Sequence, residues 1–208
     1  MTDAGAPLDI QPLTRERLPD LAALFGQGGD PKWCWCSFFR VRNVDFQSAT
    51  AASNRRVLER AVEATAAESR APGLIAYRAG EPIGWVRLGP RDDYERLQHS
   101  RVLAPIDDRP VWSIVCFVVA RHARKQGVAN ALLDAAVAYA RKHGATLLEG
   151  YPVETDGGRV PAANAYKGTL TMFERAGFEV AARRRANRAS PERPIVRRRV
   201  RRGPAAKR

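Results

Sequence analysis

The chain of 208 residues has only three cysteines and three histidines, and no apolar run in it approaches the roughly 20 residues that a membrane helix needs. Met1 to Pro7 contain neither the basic stretch nor the apolar stretch of a secretory leader. Cys34, Cys36 and Cys116 form an odd and sparse set, which argues against a secreted disulfide framework and makes reduced thiols the default. Cys34-x-Cys36 lacks common zinc spacing, and a site with Cys116 and one of His99, His122 or His143 would have to join distant segments, so no metal is expected. The P-loop pattern, the dinucleotide pattern G-x-G-x-x-G and any internal repeat are also missing. These absences predict a soluble, cytoplasmic protein with no membrane contact.

At 45% hydrophobic, the chain can bury one full core, and no second domain is required. Its net charge of +13 suggests nucleic acid until it is mapped. Residues 183–208 carry twelve Lys/Arg against one acid, Glu192, and so hold eleven of those thirteen charges. That segment lacks the interleaved aromatics of single-strand binders, so nucleic-acid contact is expected only as nonspecific attraction by the tail. From Val200 to Arg208 the chain is predicted to be disordered.

The most informative stretch is Arg121-His122-Ala123-Arg124-Lys125-Gln126-Gly127-Val128-Ala129. Before it, Val111 to Val119 is rich in β-branched and aromatic residues and reads as a buried strand. After it, Val128 to His143 places Ala129, Leu132, Leu133, Ala136, Val137 and Ala140 on one helical face, with Gly144 positioned to end the helix. A cationic turn at a helix start offers unpaired backbone N–H groups and partial positive charge, and Gly127 has no side chain to hold a ligand off. The natural guest is a phosphate.

The remaining pattern predicts a strand over Leu8–Leu13, a helix capped by Thr14 and running to Phe25, and a loop over Gly26–Pro31. A second helix spans Ser48–Ser69, and Leu74–Tyr77 and Ile83–Leu88 form a hairpin around Arg78-Ala79-Gly80-Glu81. Asp92–His99 is either a brief helix or an ordered loop. Later come a strand over Thr146–Tyr151, a short helix over Leu170–Arg175 stopped by Gly177, and strands over Phe178–Arg184 and Ile195–Arg199.

Val119, Arg124, Gly127 and Ala129 stand as V-x4-R-x2-G-x-A, which resembles the acyl-CoA pyrophosphate loop of the GNAT (Gcn5-related) N-acetyltransferase superfamily. Arg121 replaces that loop's usual proline, and Lys125 its first optional glycine. A second match, Met172-Phe173-Glu174-Arg175-Ala176-Gly177-Phe178, resembles the L-Y-E-K-x-G-F ending of the family's last helix. The element order, β-α-α-β-β-β-α-β-α-β-β, is similar as well. The resemblance implies an α/β (α+β) domain over residues 8–199, followed by a basic tail over 200–208. Its mixed, twisted sheet of six to seven strands would carry helices on both faces.

It also implies acetyl-CoA as co-substrate, with Phe117, Val118 and Val119 beside the pantetheine and Arg124, Lys125, Gln126, Gly127, Val128 and Ala129 around the pyrophosphate. The reaction implied is direct attack of an amine on the acetyl carbonyl, with a backbone N–H near Val118 stabilising the oxyanion. The family's acidic tyrosine is Phe173 here, and the asparagine expected seven residues earlier is Tyr166. Tyr166, or else Tyr151, is therefore the candidate acid. Glu149 is the candidate base, because a carboxylate inside the apolar run Thr146–Tyr151 must be compensated. Glu154, Asp156, Asp107 and Asp108 are alternatives, while His122 lies too close to the phosphate loop.

The segment Lys32-Trp33-Cys34-Trp35-Cys36-Ser37-Phe38-Phe39 is expected to be a loop whose Trp33, Trp35 and Phe38 line the acceptor pocket. The acceptor is read first as a small-molecule primary amine. The alternatives are a protein amine, either lysine or an N-terminus, and an inactive acyl-CoA-binding or nucleic-acid-associated regulator. A homodimer is compatible with the sequence, which leaves oligomeric state open.

Overall fold

The computed structural model describes residues 6–155 and 166–200. Seven strands form one sheet: β1 (Leu8–Pro12), β2 (Gly73–Arg78), β3 (Glu81–Pro90), β4 (Trp112–Val119), β5 (Leu147–Gly150), β6 (Glu179–Arg184) and β7 (Arg193–Arg199). Their spatial order is β1-β2-β3-β4-β5-β7-β6. Every neighbouring pair is antiparallel except β4 and β5. A parallel pair needs a crossover, which α6 (Val128–Lys142) supplies.

Successive side chains of β3 show how the sheet is covered. A Cβ on Gly84 would meet Val128 Cγ1 of α6 at 2.8 Å. The next residue, Trp85, packs edge-on against Phe25 of α1 (Leu18–Gly26), with ring centroids 6.3 Å apart. Strand alternation therefore puts α1 and α6 on opposite faces. Leu132, Leu133, Ala136 and Ala140 of α6 are fully buried, as the helical spacing predicts, and each such leucine is worth about 2 kcal/mol. Gly144 takes φ +85° after the helix.

Several boundaries differ from the sequence expectations. α1 starts at Leu18 because Thr14 and Arg15 carbonyls accept from Arg17 and Leu18 N–H in a turn, and Pro19 suits the first helical turn. The predicted loop over Lys32–Phe39 contains a helical turn, α2 (Pro31–Cys34), which ends at Trp35 and Cys36, both left-handed. A further short helix, α3 (Asn43–Gln47), was not expected. The long helix α4 (Ala51–Ala67) is capped by Thr50, whose Oγ1 accepts from Ser53 N at 3.1 Å while Ser53 Oγ accepts from Thr50 N at 2.8 Å. Asp92–His99 divides between a 3₁₀ turn at Arg91–Asp93 and α5 (Glu95–His99).

The last helix, α7 (Leu170–Arg175), lays Phe173 over Gly150 of β5. Val200, expected to begin a disordered tail, instead donates its N–H to Thr146 O at 3.0 Å. Asp156 and the rest of the tail, residues 201–208, lie outside the described residues. Among the described residues no helix is long and apolar enough to cross a membrane.

Candidate active site

β4 and β5 pair only from Trp112–Leu148 to Ile114–Gly150, after which β4 continues to Val119 with β3 on one side and, among the described residues, no strand on the other. The next residue along β4, Val115, is extra in the ladder to β3: Arg87 pairs with Cys116 and Leu88 with Ile114. Such a bulge bends and twists its strand, and it stands where β4 parts from β5. Beyond it, Ala120 N–H donates to Ile83 O of β3 at 2.9 Å, whereas Phe117 N–H turns away and donates to Tyr166 O at 2.7 Å. Antiparallel alternation then aims Val118 N–H at β3 and Val119 N–H into the gap. Of the N–H groups near Val118, where the sequence reading expects an oxyanion donor, that of Val118 is spent on β3 and that of Phe117 on Tyr166 O, which leaves Val119 N–H facing the gap.

The basic turn follows β4 directly. A 3₁₀ turn over Arg121–Ala123 leads to Lys125 at φ +62° and Gly127 at φ +78°, the latter capping α6. No side chain caps α6, so the N–H groups of its first turn are open to a ligand. Nothing lies within 4 Å of where a Gly127 Cβ would stand. Gln126 Nε2 donates to His122 O at 2.7 Å, Arg78 donates to Gln126 Oε1, and Arg124 Nε donates to Val119 O at 3.2 Å. These bonds hold the turn against β2 and the end of β4. Val128 is buried and Ala129 half-buried. His122 lies 3.5 Å from Glu81, away from the gap.

A cavity of about 590 Å³ opens beside Tyr166, with Phe38, Phe39 and Leu103 among its apolar walls. Arg42, Arg96, Lys167 and Arg193 also line it, and no carboxylate does so among the described residues. Burial, with Cys116 adding to it, holds the Tyr166 phenol above its usual range, so it keeps its proton. Burial, reinforced by Arg193, brings the Lys167 ammonium down to about 8.

Of the three predicted pocket aromatics, only Phe38 lines this cavity. Trp35 is 9% exposed and packs on Phe25 at 5.5 Å, so it belongs to the core. Trp33 is 40% exposed and sits edge-on to Phe46 at 4.8 Å, outside the cavity lining. Both corrections follow from the left-handed turn at Trp35 and Cys36, which reverses the chain before Phe38. Cys36 Sγ lies 3.0 Å from Cys116 Sγ, tying this segment to β4.

Glu149 is 0% exposed. Its Oε1 accepts from Arg91 Nη1 at 2.8 Å and from Tyr151 Oη at 2.7 Å, and its Oε2 accepts from Arg197 Nε at 2.7 Å. Ser113 Oγ lies 2.9 Å from the same phenol, which burial and then the Glu149 charge push well above the usual range. The base predicted from sequence is thus a corrected expectation: two guanidiniums saturate this carboxylate, and it does not line the cavity. It anchors β5 at the last point of contact with β4. Tyr151, committed to the same network, is likewise unsuited as the acid. Asp107 is held by Arg109 and Arg197, whose bonds keep it well below the carboxylate range, and Glu154 is paired with Arg183.

Sequence reasoning missed the cationic lining. Arg42 and Arg96 carry no periodic signal, and Arg193 was read as part of a solvated basic terminus.

A mixed sheet whose two central parallel strands part beside an uncapped helix N-terminus is the acyl-CoA N-acyltransferase fold. Residues 35–167 match the acetyltransferase (GNAT) family, and the chain belongs to that family. No curated protein matches it by sequence. Three solved structures share the fold. A ribosomal-protein-alanine N-acetyltransferase from Brucella melitensis is 18% identical, with TM-score 0.54, covering 92% of this chain and 99% of its own. The PaiA N-acetyltransferase from Thermoplasma acidophilum, in complex with coenzyme A, is 14% identical, with TM-score 0.53, covering 93% and 99%. A GNAT-family acetyltransferase from Streptococcus pneumoniae is 13% identical, with TM-score 0.53 and the same coverage.

Proposed function

We infer that this protein transfers the acetyl group of acetyl-CoA to the primary amine of a small molecule. The observation that carries the reading is the parting of β4 from β5 directly before a backbone-lined turn at an uncapped helix start. Family membership and the coenzyme A complex of the Thermoplasma relative support it.

The residues present fit the co-substrate. The open space at Gly127 leaves the N-terminus of α6 approachable, so that Gln126, Gly127, Val128 and Ala129 present backbone to a pyrophosphate while Arg124 and Lys125 add charge. Phe117 and Val119 turn backbone groups toward the gap that would take the pantetheine, with Phe117 N–H held by Tyr166 O, and Val118 helps hold that edge in the sheet. When bound, acetyl-CoA supplies the activated acetyl thioester. Val119 N–H faces the gap as the donor for charge developing on the carbonyl oxygen. Tyr166, kept protonated by its burial, serves as the acid at the cavity side. Among the described residues no carboxylate lines the cavity, and the acceptor proposed for the amine's proton is water.

A cavity of about 590 Å³ is of the size that small ligands use, which favours a small-molecule acceptor over a protein amine. The test is acetyl-CoA-dependent thermal stabilisation, followed by detection of free coenzyme A thiol across a panel of amines. Stabilisation with amine-dependent thiol release is expected. Absence of stabilisation at saturating acetyl-CoA would remove the reading, and acetylation of peptides alone would move the acceptor to protein.

A further inference from the structure

Four cations, Arg42, Arg96, Lys167 and Arg193, line the cavity beside Tyr166, and no carboxylate lines it among the described residues. Arg91 and Arg197 share Glu149, and Arg70 and Arg40 share Asp93. Around the cavity, by contrast, neither Arg42 nor Arg193 has a carboxylate within ion-pair distance among the described residues. Arg96 is steadied by neutral groups only: its guanidinium stacks 3.8 Å from the Phe38 ring centroid and donates to Phe38 O and to Asn43 Oδ1 at 2.8 Å.

Like charges gathered around one cavity repel one another, and a bound anion relieves that repulsion. A cationic acceptor would meet the opposite situation. The apolar walls, Phe38, Phe39 and Leu103, then leave the arginines as the groups that orient a guest.

We propose that the acceptor is a small amine bearing an acidic group, a carboxylate or a phosphate, which Arg42, Arg96 and Arg193 receive while the amine faces the β4–β5 gap. This rests on the transferase reading and adds the substrate class to it. Guanidinium recognises both acids through paired N–H donors, so the shared chemistry is an oxyanion on a primary amine.

The experiment compares amines that differ only in the acid: amino acids against their carboxamides, and aminoalkyl phosphates against aminoalkanols. Free thiol release gives kcat/KM for each, and calorimetry gives binding of the same compounds to the full chain with and without acetyl-CoA. The acidic member of one pair type should be preferred by about tenfold or more, the range for a hydrogen-bonded charge, and the pair type that shows it tells carboxylate from phosphate. In the R42Q/R193Q variant the preference should fall below about threefold. Retained stabilisation by acetyl-CoA reports that the variant is folded. Equal or better use of the neutral members by the wild type, or a preference that survives in the variant, overturns the proposal. If acetyl-CoA does not bind, the transferase reading fails by itself. Calorimetry then decides the cavity alone: acid-selective binding lost in the variant supports the anion site, and no such binding refutes it.

Discussion

Arg91 Nη1 and the carboxylate of Glu149 meet at 2.8 Å where the glutamate is closed to solvent. With Arg197 on the other carboxylate oxygen, one anion holds two cations that belong to the turn after β3 and to β7. Removing the carboxylate would leave the buried Arg91 without an ionic partner among the described residues and Arg197 with Asp107 alone, which is the expensive way to break a buried pair. Glu149→Ala is expected to lower unfolding free energy by about 3–5 kcal/mol in urea titrations. A variant of unchanged stability but altered pH–rate profile would return Glu149 to the chemistry.

Gly127→Glu adds a carboxylate beside the phosphate site and a side chain at φ +78°. Acetyl-CoA affinity should fall by more than about tenfold in calorimetry, through like-charge repulsion and loss of backbone approach. Wild-type affinity would exclude this turn from binding the pyrophosphate.

Tyr166→Phe removes a protonated phenol while leaving the backbone carbonyl that accepts from Phe117 N–H. Turnover is expected to drop about 100-fold or more, in line with loss of a general acid, with little change in acetyl-CoA affinity. Full activity at all pH values would place leaving-group protonation with water.

Gly150 lies under Phe173, and a Cβ there would stand 2.3 Å from Phe173 Cε1. Gly150→Ala should therefore cost about 1–3 kcal/mol, as overpacking does, measured by chemical denaturation. The paired variant with Phe173→Leu should recover part of the loss. Failure to recover any would show that the clash is not with Phe173.

Lys167 gives a pH dependence with a defined sign. Its folded value, about 8, lies below the ordinary 10.5, so between those limits the unfolded chain holds more protons than the folded one. Stability should then rise with pH from about 8 to about 10.5, relative to a Lys167→Met variant, and should be penalised below that window. Parallel pH curves for the two proteins would show that burial does not depress this ammonium.

The turn before α6, with the strand and helix on either side of it, was legible because it is local. Val111 to Ala129 carries strand composition, cationic turn, glycine and amphipathic helix in one stretch, and each feature acts within a few residues of its neighbours. The lining of the cavity was not, because Phe38, Arg96, Tyr166 and Arg193 come together only in the folded chain, in which β7 inserts between β5 and β6. Glu149 shows the same limit from another direction. Its apolar surroundings marked it as unusual, but the arginines that neutralise it lie 58 positions before it and 48 after it. The run Trp33 to Phe39 was misjudged in part because the left-handed pair Trp35 and Cys36 leaves no compositional trace; neither is glycine or asparagine.

The extra residue at Val115 acts as a phase shift in β4. Upstream, Trp112 to Ile114 are in step with both neighbours; downstream, Cys116 to Val119 stay in step with β3 alone. Because Ile114 and Cys116 already pair with the adjacent Leu88 and Arg87, removing Val115 would close the ladder into regular alternation, keep every downstream partner, and take out the local bend where β4 leaves β5. Val115 therefore sets the curvature of β4 by its presence rather than by its chemistry, and the position should bear substitution better than deletion.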